Sequence, residues 1–224
     1  MASQDLDTFY NDAYGQVFNS GAVGWVSRLA HKSLEAPFSE DDSFENVLEL
    51  GAGMGQHREF VRHAFSRYLE TDIREEPLPP VKDNSRVERR VLDASTLTDI
   101  QSNSFDRILA TCLLTHLPDP EASLAEWRRV LAPGGMLSLY LPADPGFLLR
   151  VAETLTTARK TRKQGIDYWA IHLREHRHHF PYLRLIVNEV FGAHNVTIRS
   201  HPMPGMSWNF ALWFTAQIRK EEPL

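Results

Sequence analysis

Glycines occupy alternate positions in Val47-Leu48-Glu49-Leu50-Gly51-Ala52-Gly53-Met54-Gly55, directly behind an apolar run. Such a segment brings backbone close to a ligand. Gly51 can take the tight turn, Gly53 has no Cβ to hold a ligand away, and Gly55 lets the next element start against the strand. The spacing predicts a helix over residues 56–68. A second apolar segment ends in Asp72, about 20 residues beyond the first glycine, the offset at which a doubly wound sheet places a carboxylate on a ribose. Glu70 competes for that role, since strand alternation puts both acids on one face; Asp72 is preferred because it lies nearer the carboxyl end. The pattern reads as a nucleotide-type site. A dinucleotide would want a further glycine where the chain has Gln56 and His57, which weakens a pyrophosphate reading.

The elements that must position these residues follow from periodicity. Strands are predicted at 46–50, 68–73, 86–92, 105–111 and 136–141, alternating with helical stretches, which argues for a parallel sheet covered on both faces with ligands at its carboxyl ends. A helix around 120–131 carries Leu124, Trp127, Val130 and Leu131 on one side and stops at Pro133-Gly134-Gly135. A further helix is read over 182–191. Residues 194–200 and 208–218 read as two closing strands. With 224 residues, 42% of them hydrophobic, the chain can bury one sizeable core. No apolar run is long enough to cross a bilayer, and the start lacks the basic and apolar regions of a secretory signal, so a cytoplasmic location is expected. Cys112 is the single cysteine, which excludes an internal disulfide and a cysteine-based zinc site. It reads as a packing residue.

The segments Val47 to Gly55, Asp72, Val91-Leu92-Asp93-Ala94, Ser104-Phe105-Asp106-Arg107-Ile108-Leu109-Ala110, Leu114-Thr115-His116-Leu117-Pro118-Asp119-Pro120 and Arg129-Val130-Leu131-Ala132-Pro133-Gly134-Gly135 come in a telling order. In that order the chain resembles the class I S-adenosylmethionine-dependent methyltransferases, over residues 45–142. The resemblance implies an α/β Rossmann-like fold: a doubly wound, mostly parallel seven-stranded sheet with an antiparallel last strand. It implies S-adenosyl-L-methionine as cofactor, with Glu49, Gly51, Gly53 and Gly55 around its methionine part, Asp72 on the ribose and Asp93 with Ala94 at the adenine edge. Thr111, ending the fourth strand, joins the cofactor set, and His116 lies just beyond it, beside cofactor and acceptor. The loop 74–80 departs from the family, replacing a helix that many relatives carry there. A single domain is expected, with an N-terminal helical cap (1–36), a cofactor-binding core (45–142), a helical insertion or lid (144–180), and a closing helix and hairpin (181–224).

Two segments outside the sheet are expected to choose the acceptor. In the N-terminal cap, Tyr10 and Tyr14 have i, i+4 spacing and share one helical face. The insertion holds Arg150, Arg159, Lys160, Arg162, Lys163, Arg174 and Arg177, although the whole chain has a formal net charge of -5. That excess reads either as a solvated face or as a site for an anionic acceptor, with Arg159 and Arg162 as its ligands. His172, Glu175 and His176 match the spacing of inverted zinc peptidases, but the flanking Arg174 and Arg177 oppose a dication, and the expectation is no metal. Trp208, at the start of a closing strand, is a further acceptor contact.

The chemistry asks for alignment and the exclusion of water, because the cofactor's sulfonium is already a good leaving group. A hydroxyl acceptor also needs a base, and histidine suits the task. His116 is the first candidate, with His176 and His179 if the insertion folds over the site. The expected function is methyl transfer to a small polar acceptor, anionic if the basic insertion binds it, with O-methylation preferred. A specialised metabolite or sugar-containing intermediate fits. The alternatives are a methyltransferase for RNA or a protein side chain, and a non-catalytic cofactor-binding partner subunit. No nucleic-acid partner and no membrane span are expected, and the protein is read as a monomer or homodimer.

Overall fold

In the computed structural model, residues 21–74 and 85–222 are described. Seven strands form one sheet: β1 (Ser43–Leu50), β2 (Ala64–Asp72), β3 (Val87–Val91), β4 (Phe105–Thr111), β5 (Leu131–Pro142), β6 (Val196–His201) and β7 (Trp213–Arg219), in the spatial order β3-β2-β1-β4-β5-β7-β6. The first five run parallel, whereas β7 is antiparallel to both β5 and β6. The strand order reverses between β1 and β4, and a crevice at such a switch point is where doubly wound sheets bind ligands.

Alternation divides the sheet into two unlike faces. Leu48, Leu50, Leu69, Ile108, Ala110, Leu137 and Leu139 point to one side, where they form the main core with Leu124 and Trp127 of α2 (Pro120–Val130) and Leu183, Ile186 and Val187 of α6 (Phe180–Phe191). Asp119 caps α2, accepting from the Ala122 amide, and Pro120 sits in its first turn. The opposite face carries a smaller apolar cluster of Val47, Tyr68 and Leu109. Helix α1 (Gly21–Glu35) packs on this face against β5, β7 and the turn after β1. Its end is pinned there by Trp213 Nε1 donating to Ser33 Oγ at 3.0 Å and Gln217 Nε2 donating to the Leu34 carbonyl at 2.9 Å.

The helix expected over 56–68 does not form. The chain makes one 3-10 turn (His57–Phe60) and is already in β2 at Ala64, which pairs with Ser43. Phe60, Val61, Ala64 and Phe65 have helical spacing, but tertiary partners override it: Val61 and Phe65 pack on the Val47, Tyr68 and Leu109 cluster, Arg58 pairs with Glu70, and His57 is drawn to Glu35 of α1. The insertion after β5 is helical as expected, comprising α3 (Phe147–Leu155), α4 (Thr157–Arg162) and α5 (Tyr168–Glu175). Among the described residues no helix is long and apolar enough to cross a membrane. Tyr10 and Tyr14 fall outside the described residues.

Candidate functional site

A cavity of about 260 Å³ opens at the carboxyl ends of β1 and β4. Its floor is Glu49, Gly51, Ala52 and Gly53 with Thr111 and Cys112, α1 forms one wall, and Leu149, Ala152, Glu153 and Tyr168 of the insertion form the cover. The insertion therefore covers this cavity.

Gly51 and Gly53 both have positive φ (66° and 50°). A Cβ on Gly51 would come within 2.9 Å of Leu113, whereas one on Gly53 meets no protein atom within 4 Å and would take up ligand space. The loop is held on both sides of Gly53. The Gly53 amide donates to Asp72 Oδ2 at 2.9 Å, and its carbonyl accepts from Arg89 Nη1 at 2.6 Å. Glu70 is buried between Arg58 and Arg89, so it is occupied in fixing the arginine that fixes the loop. That leaves Asp72, at the strand end, as the acid near the glycines. Glu49 is almost fully buried. Its Oε2 accepts from Tyr68 at 2.7 Å, its Oε1 has no partner, and burial pushes its carboxyl up to about 7.

Two polar networks reach this cavity. On the α1 side, His31 and His57 both line it; their Nδ1 atoms lie 2.8 Å apart, and His57 Nε2 is 2.8 Å from Glu35 Oε1. Glu35 also accepts two bonds from Arg107, and neither residue of that ion pair has any exposed surface. Burial alone would raise the Glu35 carboxyl, but the bonds from His57 and Arg107 outweigh it and hold the group at about 2. On the insertion side, Tyr168 donates to Glu153 at 2.9 Å and lies 3.2 Å from His172 Nδ1; Asp144 then joins His172 Nε2 (3.2 Å) to His176 Nδ1 (2.5 Å). Burial raises Glu153 to about 7. Burial also acts on Asp144, yet its two histidine partners keep it well below the usual carboxylate range.

The donor atoms of Asp144, His172 and His176 lie within 4.8 Å of one another, as do those of Cys112, His116 and His176. Either set has ligand types that hold divalent metals. Each Asp144 oxygen, however, already pairs with one imidazole nitrogen.

The methyltransferase domain family matches this chain over residues 48–139. That family and the structural neighbours are class I S-adenosylmethionine-dependent methyltransferases. It is 30% identical over 142 residues to a ubiquinone biosynthesis O-methyltransferase of Methylococcus capsulatus, covering 55% of this chain and 60% of that protein. It is 28% identical over 165 residues to a highly reducing polyketide synthase of Gibberella zeae, covering 64% of this chain and 6% of that one. The chain thus spans less than two thirds of either relative. The N-methyltransferase NodS of Bradyrhizobium japonicum, solved in complex with S-adenosyl-L-homocysteine, superposes with a TM-score of 0.62 at 16% identity, covering 98% of each chain. That likeness is one of fold.

In this chain several residues expected at the site lie outside the lining of this cavity. His116 is half-buried beside His176, with ring centroids 4.9 Å apart and Glu175 at 3.7 Å, and both imidazoles stand outside the lining of the cavity. His179 is exposed in front of α6, and its side chain makes no cap. Arg159 and Arg162 are exposed on a separate, more open cleft of about 530 Å³ bounded by Thr154, Gly165 and Trp169. Trp208 packs against the main core, and Trp213 faces the cavity instead. Asp93 is exposed and binds the Ser95 amide and hydroxyl, while the buried Ala94 gives its carbonyl to Trp127; neither lines the cavity. Sequence reasoning missed Glu35, Asp144, Glu153, His31 and His57. Asp144 had a signal, since it directly follows β5 at the carboxyl edge; the pairing of Glu35 with Arg107, 72 residues away, had none.

Proposed function

We propose that the chain transfers the methyl group of S-adenosylmethionine to a hydroxyl of a small, polar and uncharged acceptor. The observation that carries this reading is the single enclosed space shared by the glycine loop, α1 and the insertion, in which a methyl donor and a small acceptor would meet out of water. The residues fit the cofactor. The buried, donorless Oε1 of Glu49 suits an ammonium group, the open side of Gly53 leaves space for a ligand, and Asp72 stands one hydrogen bond from Gly53 for a ribose. Although outside the lining of the cavity, Asp93 and Ala94 are proposed as adenine contacts on the strength of the resemblance, and Gly51, Gly55 and Thr111 complete the cofactor set. When bound, the cofactor supplies a sulfonium-activated methyl group.

The protein's own contribution is confinement and orientation. Val23, Val26 and Ala30 of α1 face Leu149 and Ala152 of α3 across the cavity and keep water away from the reacting groups. No lysine or arginine lines this cavity among the described residues, whereas Glu49 and Glu153 do. This supports a neutral acceptor over an anionic one. His116 and His176 stand behind Cys112, outside the cavity's lining, which favours a base elsewhere on the wall.

Calorimetric titration with S-adenosylhomocysteine tests the cofactor. A screen of labelled cofactor against pools of hydroxylated, amino and phosphorylated small molecules then tests the acceptor class. Binding with label transferred to a neutral hydroxylated pool is the expected result. Transfer only to phosphorylated or amino compounds refutes the acceptor class, and no binding refutes the reading as a whole.

A further inference from the structure

The reading of methyl transfer to a hydroxyl leaves open which group on the cavity wall receives the hydroxyl proton. We propose that His31 is that base, and that a relay through His57 to the buried Glu35–Arg107 pair fixes the tautomer in which it acts.

The assignment follows the hydrogen bonds outward from the core. Glu35, ionised and enclosed, can only accept, so the His57 Nε2 atom 2.8 Å from it carries the hydrogen. With no second proton on His57, as the proposal requires, its lone pair is on Nδ1. The His31 Nδ1 atom 2.8 Å away must then be the donor, which leaves the lone pair of neutral His31 on Nε2. That nitrogen has no hydrogen-bond partner among the described residues, and the ring to which it belongs lines the cavity. Phe60 stacks on the ring at 5.2 Å and 9°, fixing its plane. The arrangement is that of an oriented base: a carboxylate sets one imidazole, which sets the next, whose ring lines the cavity.

The surroundings keep this base unprotonated at rest. Burial is the main cause of its fall to about 3, a charge on His57 would lower it further, and Glu35 acts the other way. Besides His57, the other ionisable groups on the cavity wall are Glu49, Glu153, Cys112, Tyr140 and Tyr168. A weak base suffices, because a hydroxyl becomes strongly acidic as its oxygen acquires the methyl group. The step balances. The acceptor oxygen uses a lone pair to form the C–O bond, the C–S pair stays on sulfur, and the O–H proton passes to His31 Nε2. The His31 Nδ1 proton moves to His57 Nδ1. The positive charge then rests on His57, against the Glu35 carboxylate.

The test is nitrogen-15 NMR of the histidine rings in the full chain, with and without saturating S-adenosylhomocysteine. His31 is expected in the Nδ1–H form and His57 in the Nε2–H form, with His31 showing no protonation through the ordinary imidazole range around pH 6.5. Glu35→Gln, which can present either an acceptor or a donor to His57, is expected to mix the tautomers of both rings. A His31 ring in the Nε2–H form, or one that titrates normally, overturns the proposal. Once the pool screen supplies an acceptor, His31→Gln and His31→Ala are expected to lower kcat roughly 100-fold or more while leaving homocysteine-product affinity within roughly threefold. Undiminished kcat in both variants overturns it as well. The two readings fail separately: loss of cofactor binding by the unaltered chain removes the methyl-transfer reading, whereas cofactor binding with an ordinary His31 titration removes only the relay.

Discussion

Replacing Glu35 by glutamine should destabilise the protein far more than its small change in shape suggests. Glu35 and Arg107 have no exposed surface, and Arg107 reaches little else: Ser138 Oγ lies 3.5 Å away, the Phe38 ring sits 4.0 Å from its guanidinium carbon, and its Nε already lacks a partner. Glutamine fills the same volume and can still accept from His57, so no cavity opens. What disappears is the charge that compensates a buried guanidinium, and removing one partner of such a pair costs roughly 3–5 kcal/mol. For a chain of this size that corresponds to a fall in Tm of roughly 6–20 °C, at about 2–4 °C per kcal/mol. Urea denaturation followed by fluorescence and circular dichroism measures it directly, with the slope m expected to be unchanged. Adding Arg107→Met should recover much of the loss, because the uncompensated charge goes with it. The pH dependence has a definite sign. A carboxyl held at about 2 instead of 4.5 stabilises the fold fully above its ordinary range and progressively less as pH falls toward 2. Glu35→Gln should lack that acid-side decline. A loss below about 1 kcal/mol, the range of exposed pairs, would refute the premise that this pair is desolvated.

Other outcomes follow from the same geometry. Gly53→Val should abolish S-adenosylhomocysteine binding measured calorimetrically, since φ of 50° strains a β-branched residue and its side chain enters ligand space; unchanged affinity moves the cofactor elsewhere. Below pH 7 Glu49 is mostly protonated, so cofactor binding through its carboxylate should release protons, visible as a dependence of binding enthalpy on buffer identity. Release that persists undiminished in Glu49→Gln assigns it to another group, with Glu153 the first candidate. Joint replacement of Arg159 and Arg162 by alanine should leave the acceptor KM unaltered, because both lie on the outer cleft; a rise of roughly tenfold, about 1.4 kcal/mol, would restore an anionic acceptor.

Much of the fold was legible because it rests on short-range signals. The strand at 105–111 and the helix beginning at Pro120 coincide with β4 and α2, since alternation, an Asp119 cap and a following proline are local properties. The glycine run and Asp72 were legible for the same reason: backbone freedom and strand-end position are encoded within a few residues. The segment after the glycines was not. Its apolar spacing suited a helix, and two distant acids, Glu35 and Glu70, together with strand pairing to β1, claimed it for a turn and an early β2.

The residues proposed for proton transfer show the limit most clearly. Histidine density directed attention to residues 172–179, yet Asp144 engages His172 and His176, and His179 faces solvent. His31 and His57, 26 residues apart and unremarkable in pattern, are the imidazoles on the cavity wall. The chain alone determined most of the sheet's elements, the glycine loop and the resemblance to methyltransferases. Only the tertiary structure decided which ionisable groups are desolvated, which are paired and which face the cavity, because burial and hydrogen-bond partnership depend on contacts between segments that no local pattern encodes.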